Sequence, residues 1–396
     1  MRSYRDLFRT PEFTPFFLAT AAHTAALTIG GLALGTLVFR ATGSPLLSAV
    51  SMFGPQLAQV LGATFLLSGA DRLPPRATLA GIGLAAAIGT ALLALPGLPI
   101  AAVFGVVLVQ GLIASLGTGV RWGLLNEILS KGGYLLGRSV FNMLSGLMQV
   151  IGFATGGILL TLLSPRACLL LAAALYATAA LGTRLGLSAR PPRTSGRPSV
   201  AATWRTNALL WSSRSRRLTY LGLWIPNGLM VGCESLYVSY APHAAGALFA
   251  CGALGMFVGD MTVGRLVPPG LRRRLAVPLL LLLATPYLFF VLQPGVALAA
   301  AAATVSSVGF GAGLVQQERL MELTPDELTG HALGLHSAGM LTMQGVSASL
   351  AGSVAQLTSP ATAMTVMALA SVCVTLMLAT AARRGAPEPA PALQES

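Results

Sequence analysis

Long stretches without charged residues dominate the sequence. Three of them, at positions 13–39, 41–70 and 139–165, hold 27, 30 and 27 residues. Each is long enough for one helix across a bilayer, because a helix needs about 20 residues to cross the hydrocarbon core. The pattern therefore predicts one transmembrane helix in each stretch.

Three further stretches hold 44, 43 and 55 uncharged residues and carry turn residues near their middle. Such a turn predicts two helices joined by a short loop. The stretches are 77–120, 275–317 and 328–382, and their turns lie at 96–99, 293–295 and 358–360. Apolar spans near 167–187, 218–241 and 243–264 bring the prediction to twelve transmembrane helices. Because the runs are continuously apolar rather than alternating, they exclude a β-barrel and predict an all-α membrane protein.

The composition agrees with a membrane protein. The chain has 396 residues, of which 54% are hydrophobic and 9% charged, whereas a soluble domain carries about 25% charged residues. The same composition excludes a disordered chain, a disulfide scaffold and a coiled coil. The four cysteines are separated and lie in or beside apolar spans, which is typical of packing residues rather than of disulfides or metal ligands.

Basic residues indicate the orientation of the chain. With the amino terminus inside, 23 of the 25 lysines and arginines fall on one side of the twelve spans, and only Arg40 and Arg166 fall on the other. Positive residues favour the cytoplasmic side, so we expect a multi-pass protein of the inner (cytoplasmic) membrane with both termini in the cytoplasm. No cleavable signal peptide is expected. The net charge of +13 then reflects topology and attraction to anionic lipids, and we do not expect nucleic-acid binding.

A connector at 188–217, rich in Arg, Ser and Pro, divides the chain. We predict an N-terminal six-helix bundle at 1–187, a C-terminal six-helix bundle at 218–385 and a disordered cytoplasmic tail at 386–396. The connector places its two tryptophans on one helical face with arginines nearby, which predicts an interfacial amphipathic helix. A plain solvated linker is the alternative.

Two short patterns recur in the two halves. An Asp five residues before an Arg, as in Asp71 and Arg76, recurs at Asp260, an offset of 189. A Met-Gln pair at 148–149 recurs at 343–344, an offset of 195. Two matches at nearly the same offset predict parallel six-helix repeats related by an axis normal to the membrane.

With these motifs the sequence resembles a transporter of the major facilitator superfamily over essentially the whole chain. Asp71 and Arg72 followed by Arg76 resemble the family's signature in the loop between helices 2 and 3. In that family the Asp meets the start of helix 11 and gates the inner mouth. The resemblance therefore implies gating roles for Asp71, Arg72, Arg76, Asp260 and Arg265. Local ion pairs that anchor helix ends are the alternative.

The predicted start of helix 11 is well marked. Thr324, Pro325 and Glu327 match an N-cap, a first-turn proline and a capping-box glutamate. A carboxylate is favoured at the positive end of a helix, so this helix end suits the gating contact.

Helix 5 resembles an element typical of antiporters of the family, with Phe153 where that element has Pro. Its small residues Gly152, Gly156 and Gly157 let two helices approach closely. They predict a helix-packing motif with or without a role in transport.

Other stretches of the sequence bear on the subgroup. Helix 4 carries Gln110, which resembles the end of the family's Arg-x-x-Gln-Gly element, but Val107 occupies the Arg position. That departure leaves the family's usual proton coupling open. Within the family the sequence resembles bacterial exporters of drugs and siderophores of the enterobactin-exporter type, through residues 224–228 with Glu234 and residues 334–336 with 343–345.

No enzyme constellation is present in the sequence. The four histidines are scattered, whereas a metal site needs clustered His, Cys or carboxylate ligands, so we expect no metal and no cofactor. The only lysine is Lys131, which excludes a Walker-type loop and ATP hydrolysis by that route. We therefore expect no enzymatic activity and transport driven by a gradient.

A few polar residues inside the predicted spans are candidates for function. Glu234 is the one acidic side chain well inside a span, so it is a proton-coupling candidate, with a structural hydrogen bond at the outer gate as the alternative. Tyr237, three residues later, is placed on the same helical face to hydrogen-bond it. His23 and His336 are further proton-coupling candidates, with satisfied core histidines as the alternative. The candidates for the cavity wall, which either orient a substrate or tie helices together, are Gln110, Asn142, Gln149, Tyr237 and Gln344.

The expected function is secondary active export of a small amphiphilic molecule, such as a drug, siderophore or secondary metabolite, by proton antiport. Alternating access would come from rocking of the two six-helix halves. Uptake or uncoupled facilitation by the same fold is the first alternative, and a non-transporting membrane sensor is the second. The expected partners are a small-molecule substrate, protons and membrane lipids, and the expected oligomeric state is a monomer.

Overall fold

Long helices build the whole structure. The structure, a computed structural model, describes residues 4–70, 73–129, 133–192, 200–325 and 328–383. These residues are almost entirely helical and contain no strand. Twelve long helices, α1 to α12, run through them. The first six are α1 Phe13–Thr42, α2 Pro45–Ala70, α3 Pro75–Leu93, α4 Ile100–Ile128, α5 Tyr134–Leu162 and α6 Pro165–Gly186.

Four of the second six helices change geometry along their length. The π-helical turn of α8 and the 3₁₀ segment of α9 continue each helix with a different hydrogen-bond spacing, and in α9 the change coincides with Pro286, which lacks a backbone N–H. Two short helices, Tyr4–Phe8 and Val200–Ser212, lie outside the twelve. The second six are α7 Arg214–Glu234 continued by Tyr237–Tyr240, α8 Ala245–Met261 continued by Thr262–Leu266, α9 Pro269–Ala284 continued by Thr285–Leu292, α10 Val296–Val308 continued by Gly309–Gly311 and Ala312–Glu322, α11 Thr329–Leu357, and α12 Pro360–Arg383.

The helices have the lengths that a membrane requires. Within the described residues, nine helices are long and apolar enough to cross a bilayer. The other three are α2, α7 and α11, with 26, 21 and 29 residues. Because α2 and α11 pack on each other, part of their surface is covered by protein and need not be apolar. The predicted all-α protein with twelve transmembrane helices is confirmed.

Helix pairing repeats between the two halves of the structure. In the first half α1 packs on α5 and α6, α2 packs on α4, and α3 packs on α6. In the second half α7 packs on α11 and α12, α8 packs on α10, and α9 packs on α12. Each pairing therefore recurs six helices later, which is the arrangement that parallel repeats produce.

Two helix pairs join the halves, and the first is α5 with α8. At their crossing Gly157 faces Gly246 so closely that a Cβ on Gly157 would lie 2.8 Å from the Cα of Gly246. One turn away, the rings of Phe153 and Phe249 stack with their centroids 4.7 Å apart. Only glycine at position 157 allows this approach, because any side chain would meet the backbone of α8.

The second pair joining the halves is α2 with α11. A Cβ on Gly352 would lie 2.7 Å from the Cα of Leu46. Next to that contact, the Ser44 hydroxyl donates a 2.7 Å hydrogen bond to Oε1 of Gln356. Both crossings thus lie close to short connections between helices: those of α5–α6 and α7–α8 at the first crossing, and those of α1–α2 and α11–α12 at the second.

The helix Val200–Ser212 in the connector docks on the second half. The ring of Trp211 stacks on Trp224 of α7, with centroids 5.5 Å apart and planes 11° from parallel. Arg216 donates hydrogen bonds to two carbonyls in the last turn of the connector helix, at 2.9 and 3.0 Å, and to the carbonyl of Leu323 at 3.2 Å. The connector is thereby attached to α7 and to the end of α10.

The start of α11 differs from the predicted one. The helix begins at Thr329, not beside Thr324. The Thr324 hydroxyl instead donates a 2.7 Å hydrogen bond back to the carbonyl of Leu320, so this threonine closes α10 rather than capping α11. Glu327, the predicted capping-box residue, lies outside the described residues.

An ion-pair cluster holds the beginning of the connector against the first half. Nη2 of Arg190 lies 2.7 Å from Oε2 of Glu12, and its Nε lies 3.5 Å from Oε2 of Glu127. Ser188 also donates its backbone N–H to Glu12. Partial burial raises the pKa of the Glu12 carboxyl, but the hydrogen bonds and the charge of Arg190 outweigh it and hold that pKa below its ordinary value.

Substitution of Gly157 by alanine should destabilise the protein. The added methyl group would meet the Gly246 backbone, and overpacking of this kind costs about 1–3 kcal/mol. The control is Gly105→Ala in α4, where no atom lies within 4 Å of the added Cβ and alanine gains up to about 1 kcal/mol of helix propensity. Thermal midpoints of the detergent-solubilised proteins should shift in opposite directions. Equal shifts would contradict the assigned crossing.

The Glu12 cluster should make stability depend on acid pH. The folded-state pKa of Glu12 lies below the ordinary 4.5. The Glu12 carboxylate therefore contributes fully to the free energy of unfolding above pH 4.5, and this contribution is lost as the pH falls through the folded-state pKa. The wild type should therefore melt at a higher temperature than Glu12→Gln at pH 7, and the difference should shrink below pH 4.5. A difference that stays constant with pH would show that the carboxylate charge does not contribute.

Candidate functional site

Glu234 lies at the point where α7 is interrupted. It is the last residue of the segment Arg214–Glu234, and its side chain is partly exposed. A Cβ built on Gly252 of α8 would lie 3.7 Å from Oε1 of Glu234, so the carboxylate reaches the surface of α8. Within the described part of the chain, no hydrogen bond or ion pair reaches this carboxylate.

Tyr237 does not form the expected hydrogen bond with Glu234. Its hydroxyl is hydrogen-bonded to the hydroxyl of Tyr287 in α9, and both rings are almost completely buried. Residues 235–236 form a turn between the two segments of α7, so the helical spacing that would place Tyr237 beside Glu234 is lost. The tyrosine hydroxyl nevertheless stays near the carboxylate, because the same Cβ on Gly252 would lie 3.9 Å from it.

The two candidate histidines lie in different surroundings. The His23 ring of α1 is half-buried and packs edge-on against Tyr176 of α6, with centroids 5.0 Å apart. His336 of α11 is 7% exposed, and its Nδ1 is buried without a hydrogen-bond partner. Its backbone carbonyl accepts a 3.1 Å hydrogen bond from Nε1 of Trp224. The structure does not bring either histidine to Glu234.

Arg121 was missed by sequence analysis, which counted it among the inner loop charges. It lies inside α4, seven residues before the helix ends at Ile128, where it is half-buried and close enough to His23 to act on it electrostatically. No hydrogen bond of Arg121 occurs within the described residues. One sequence signal points to it: Arg121 follows Gln110 by eleven residues, or about three helical turns, so both share one face of the helix.

The intramembrane amides divide into two groups. Gln110 donates hydrogen bonds to the carbonyl of Ala86 at 3.1 Å and to the hydroxyl of Thr90 at 3.2 Å, which ties α4 to α3. Gln344 donates to Oδ1 of Asn227 at 3.3 Å, which ties α11 to α7. No sequence pattern predicts that contact with Asn227, since the two residues are 117 positions apart.

The other two amides have no such ties. Asn142 is exposed and Gln149 is half-buried, both on α5. Neither makes a hydrogen bond to a described residue. Gln149 lies one turn before Gly152, on the helix that joins the halves.

The candidate gating residues are only partly described. Asp71 and Arg72 lie outside the described residues. Arg76 donates a 3.2 Å hydrogen bond to the carbonyl of Leu187, which ties the start of α3 to the end of α6. Asp260 is exposed near the end of α8, and Arg265 follows in the π-helical turn with Nη2 3.7 Å from the Met143 sulfur of α5.

The glycines of α5 pack against two different helices. A Cβ on Gly152 would collide with the Thr28 hydroxyl of α1, and one on Gly156 would lie 3.4 Å from the Cα of Ile29. Gly157 faces α8 as described above. These glycines therefore place α5 between α1 and α8, and so between the two halves.

The described residues contain no cluster of His, Cys, Asp and Glu suited to a metal ion.

The fold is similar to that of solved membrane transporters. A POT family transporter in complex with 5-aminolevulinic acid is 11% identical over 93% of this chain and 95% of its own, with a TM-score of 0.73. The nucleoside transporter NupG is 14% identical over 92% of this chain and 99% of its own, with a TM-score of 0.75. The peptide transporter POT in complex with sulfate is 14% identical over 94% of each chain, with a TM-score of 0.72.

Sequence comparison adds no closer relative. No protein-family model matches the chain, and no curated protein matches it significantly. The enterobactin-exporter subgroup therefore stays a prediction. The structural similarity shows the fold: this multi-pass membrane protein has the major facilitator fold, with twelve transmembrane helices in two pseudo-symmetric six-helix bundles.

Proposed function

We propose that the protein is a secondary transporter that exports a small amphiphilic molecule across the cytoplasmic membrane in exchange for protons. The observation that carries this proposal is the position of Glu234, a carboxylate without a partner among the described residues at a break in α7. A charged carboxylate inside a membrane span is costly unless it is paired, hydrated or protonated. Glu234 is therefore suited to bind a proton in one conformation and release it in another.

The surroundings of Glu234 supply a route from protonation to movement of the halves. The carboxylate lies against Gly252 of α8, and the same helix crosses α5 of the other half at Gly246. When neutral, the carboxyl group can remain packed against α8. When ionised, it needs water or a polar partner, which favours a different packing of α7 on α8. The contact between α8 and α5 then responds to the proton.

The predicted substrate is neutral or amphiphilic. Gln149 of α5 is a half-buried amide near the junction of the halves with no described partner. An amide can donate to and accept from a polar group of a substrate. The excess of basic residues on one side of the spans supports a cytoplasmic location of both termini; the direction of export is part of the proposal.

An uncoupled facilitator is the second candidate function, and one contact favours it. Phe153 occupies the position where antiporters resembling this protein have proline, and it stacks on Phe249 between the halves. A facilitator would rock between its two states without requiring a proton at Glu234. The Glu234 variant below separates the two functions.

Substitution of Glu234 by glutamine should abolish proton-driven export while leaving exchange intact. The amide keeps the shape of the protonated carboxyl but cannot release a proton. In proteoliposomes with an imposed proton gradient, export of ethidium, Hoechst 33342 or Nile red should fall at least tenfold, whereas exchange of the same dye across the membrane should continue.

The control is Glu127→Gln, at the end of α4, which should leave both activities unchanged. Exchange that survives in Glu234→Gln shows that the variant is folded. Gradient-driven export that also survives would contradict coupling through Glu234 and support the facilitator. Dye accumulation that rises with expression in cells would contradict export.

Two glutamine variants should separate structural from substrate-binding amides. Gln110→Leu removes the ties to Ala86 and Thr90 and should lower stability by about 1 kcal/mol without changing the relative rates for the three dyes. Gln149→Leu removes no hydrogen bond to a described residue and should change those relative rates at unchanged stability. If the two variants had the same stability and the same relative rates for the three dyes, the assignment of Gln110 as structural and Gln149 as substrate-binding would be contradicted.

A further inference from the structure

A cavity of about 360 Å³ lies inside the second half, away from Glu234. It is enclosed by α7, α9, α10 and α12 near the beginning of α7 and the end of α12. Its volume falls within the range of about 300–1,000 Å³ that ligand sites occupy. Most of its wall is apolar, and the wall includes Ala276, Val277, Leu280, Val315, Leu378 and Ala379.

The charged side chains at the mouth of the cavity are not all paired with a side chain of opposite charge. Nη2 of Arg273 lies 2.5 Å from Oε1 of Glu322, and Nη1 of Arg272 lies 3.7 Å from Oε1 of Glu318. These pairs use both carboxylates that line the cavity. Arg319 is also exposed at the mouth, and its guanidinium makes no hydrogen bond or ion pair within the described part of the chain. One guanidinium at the mouth is therefore available to an anion.

The interior of the cavity holds a polar group without a partner. Thr375 of α12 lines the cavity, is 1% exposed, and has a buried hydroxyl with no hydrogen-bond partner. A buried hydroxyl that lacks a partner is destabilising. A ligand with an acceptor oxygen at this depth would satisfy it.

The repeat explains why the space is open here. Gln316, which lines the cavity, follows Arg121 by 195 residues, the same offset that relates the Met-Gln pairs. In the first half, that region holds Arg121 together with the packed rings of His23 and Tyr176. At the same offset, Tyr176 corresponds to Ser371 of α12, a smaller side chain one turn before Thr375.

The cavity adjoins the lipid-facing surface. Leu376 and Met377 of α12 are 48% and 60% exposed, and they directly precede Leu378 in the cavity wall. Exposed apolar side chains on a transmembrane helix face lipid tails. Thr375, Leu378 and Ala379 line the cavity from the other face of the same helix, so α12 lies between the cavity and the lipid tails.

We propose that this cavity binds an anionic phospholipid of the cytoplasmic leaflet. The phosphate binds Arg319 at the mouth, an ester oxygen accepts the hydrogen bond of the Thr375 hydroxyl, and an acyl chain lies along the apolar wall. Basic pockets between transmembrane helices on the cytoplasmic side are suited to such headgroups. This proposal does not depend on the direction or coupling of transport.

Native mass spectrometry of the delipidated full-length protein tests the proposal. Dioleoyl phosphatidylglycerol should bind, whereas dioleoyl phosphatidylcholine and inorganic phosphate should bind much more weakly. Arg319→Gln should weaken phosphatidylglycerol binding about fivefold, the factor that corresponds to about 1 kcal/mol per basic residue. Ala379→Phe, which fills the cavity, should abolish it.

The control is Arg184→Gln, which removes an exposed arginine from the last turn of α6 in the other half and should leave binding unchanged. Phosphatidylglycerol binding that survives Ala379→Phe would overturn the proposal. So would equal effects of Arg319→Gln and Arg184→Gln, or phosphate binding that equals lipid binding. If Ala379→Phe does not fold, the comparison of the two arginine variants still decides.

Discussion

The absence of water from the bilayer core is the constraint on which the rest of this structure depends. Backbone polar groups there must be satisfied within the helices, and an unpaired charge is costly. The chain accordingly confines most of its few charges to helix ends. Glu234 and Arg121 are the departures discussed above: each lies in a helix that crosses the membrane, and neither has a hydrogen-bond partner within the described residues. A charge in such a position is a candidate functional site.

The two halves share one framework but use it differently. Helix pairings recur six helices later, so the same spaces exist in both halves. In the first half, Arg121 and the rings of His23 and Tyr176 lie in one such space. In the second half, Gln316 and Ser371 occupy the positions that match Arg121 and Tyr176, a cavity lies beside Gln316, and the acidic candidate lies instead at the break in α7. The two six-helix units therefore carry different side chains on the same pattern of helix packing.

Sequence reasoning predicted the helices well and individual contacts poorly, for physical reasons. Spacing between charges predicted the spans because charges are costly in hydrocarbon, but it placed Arg121 in a loop because the uncharged stretch 77–120 ends at that residue. Helical periodicity placed Tyr237 beside Glu234, and the turn at 235–236 invalidates that spacing. The contact of Tyr237 with Tyr287 joins residues 50 positions apart, which no local pattern encodes.

The contacts between the halves determine how a proton at Glu234 can influence distant helices. Gly252, beside the carboxylate, and Gly246, at the crossing with α5, are both on α8 and six residues apart, or about 9 Å along a helix. The crossing leaves no room for a side chain, so the two backbones meet directly. When α8 shifts slightly, it must therefore either displace α5 or move away from it. In the proposed mechanism, α8 lies between the titratable group and the backbone contact and would transmit movement from one to the other. The proposed antiport mechanism requires this connection, and the stacked Phe153 and Phe249 lie within it.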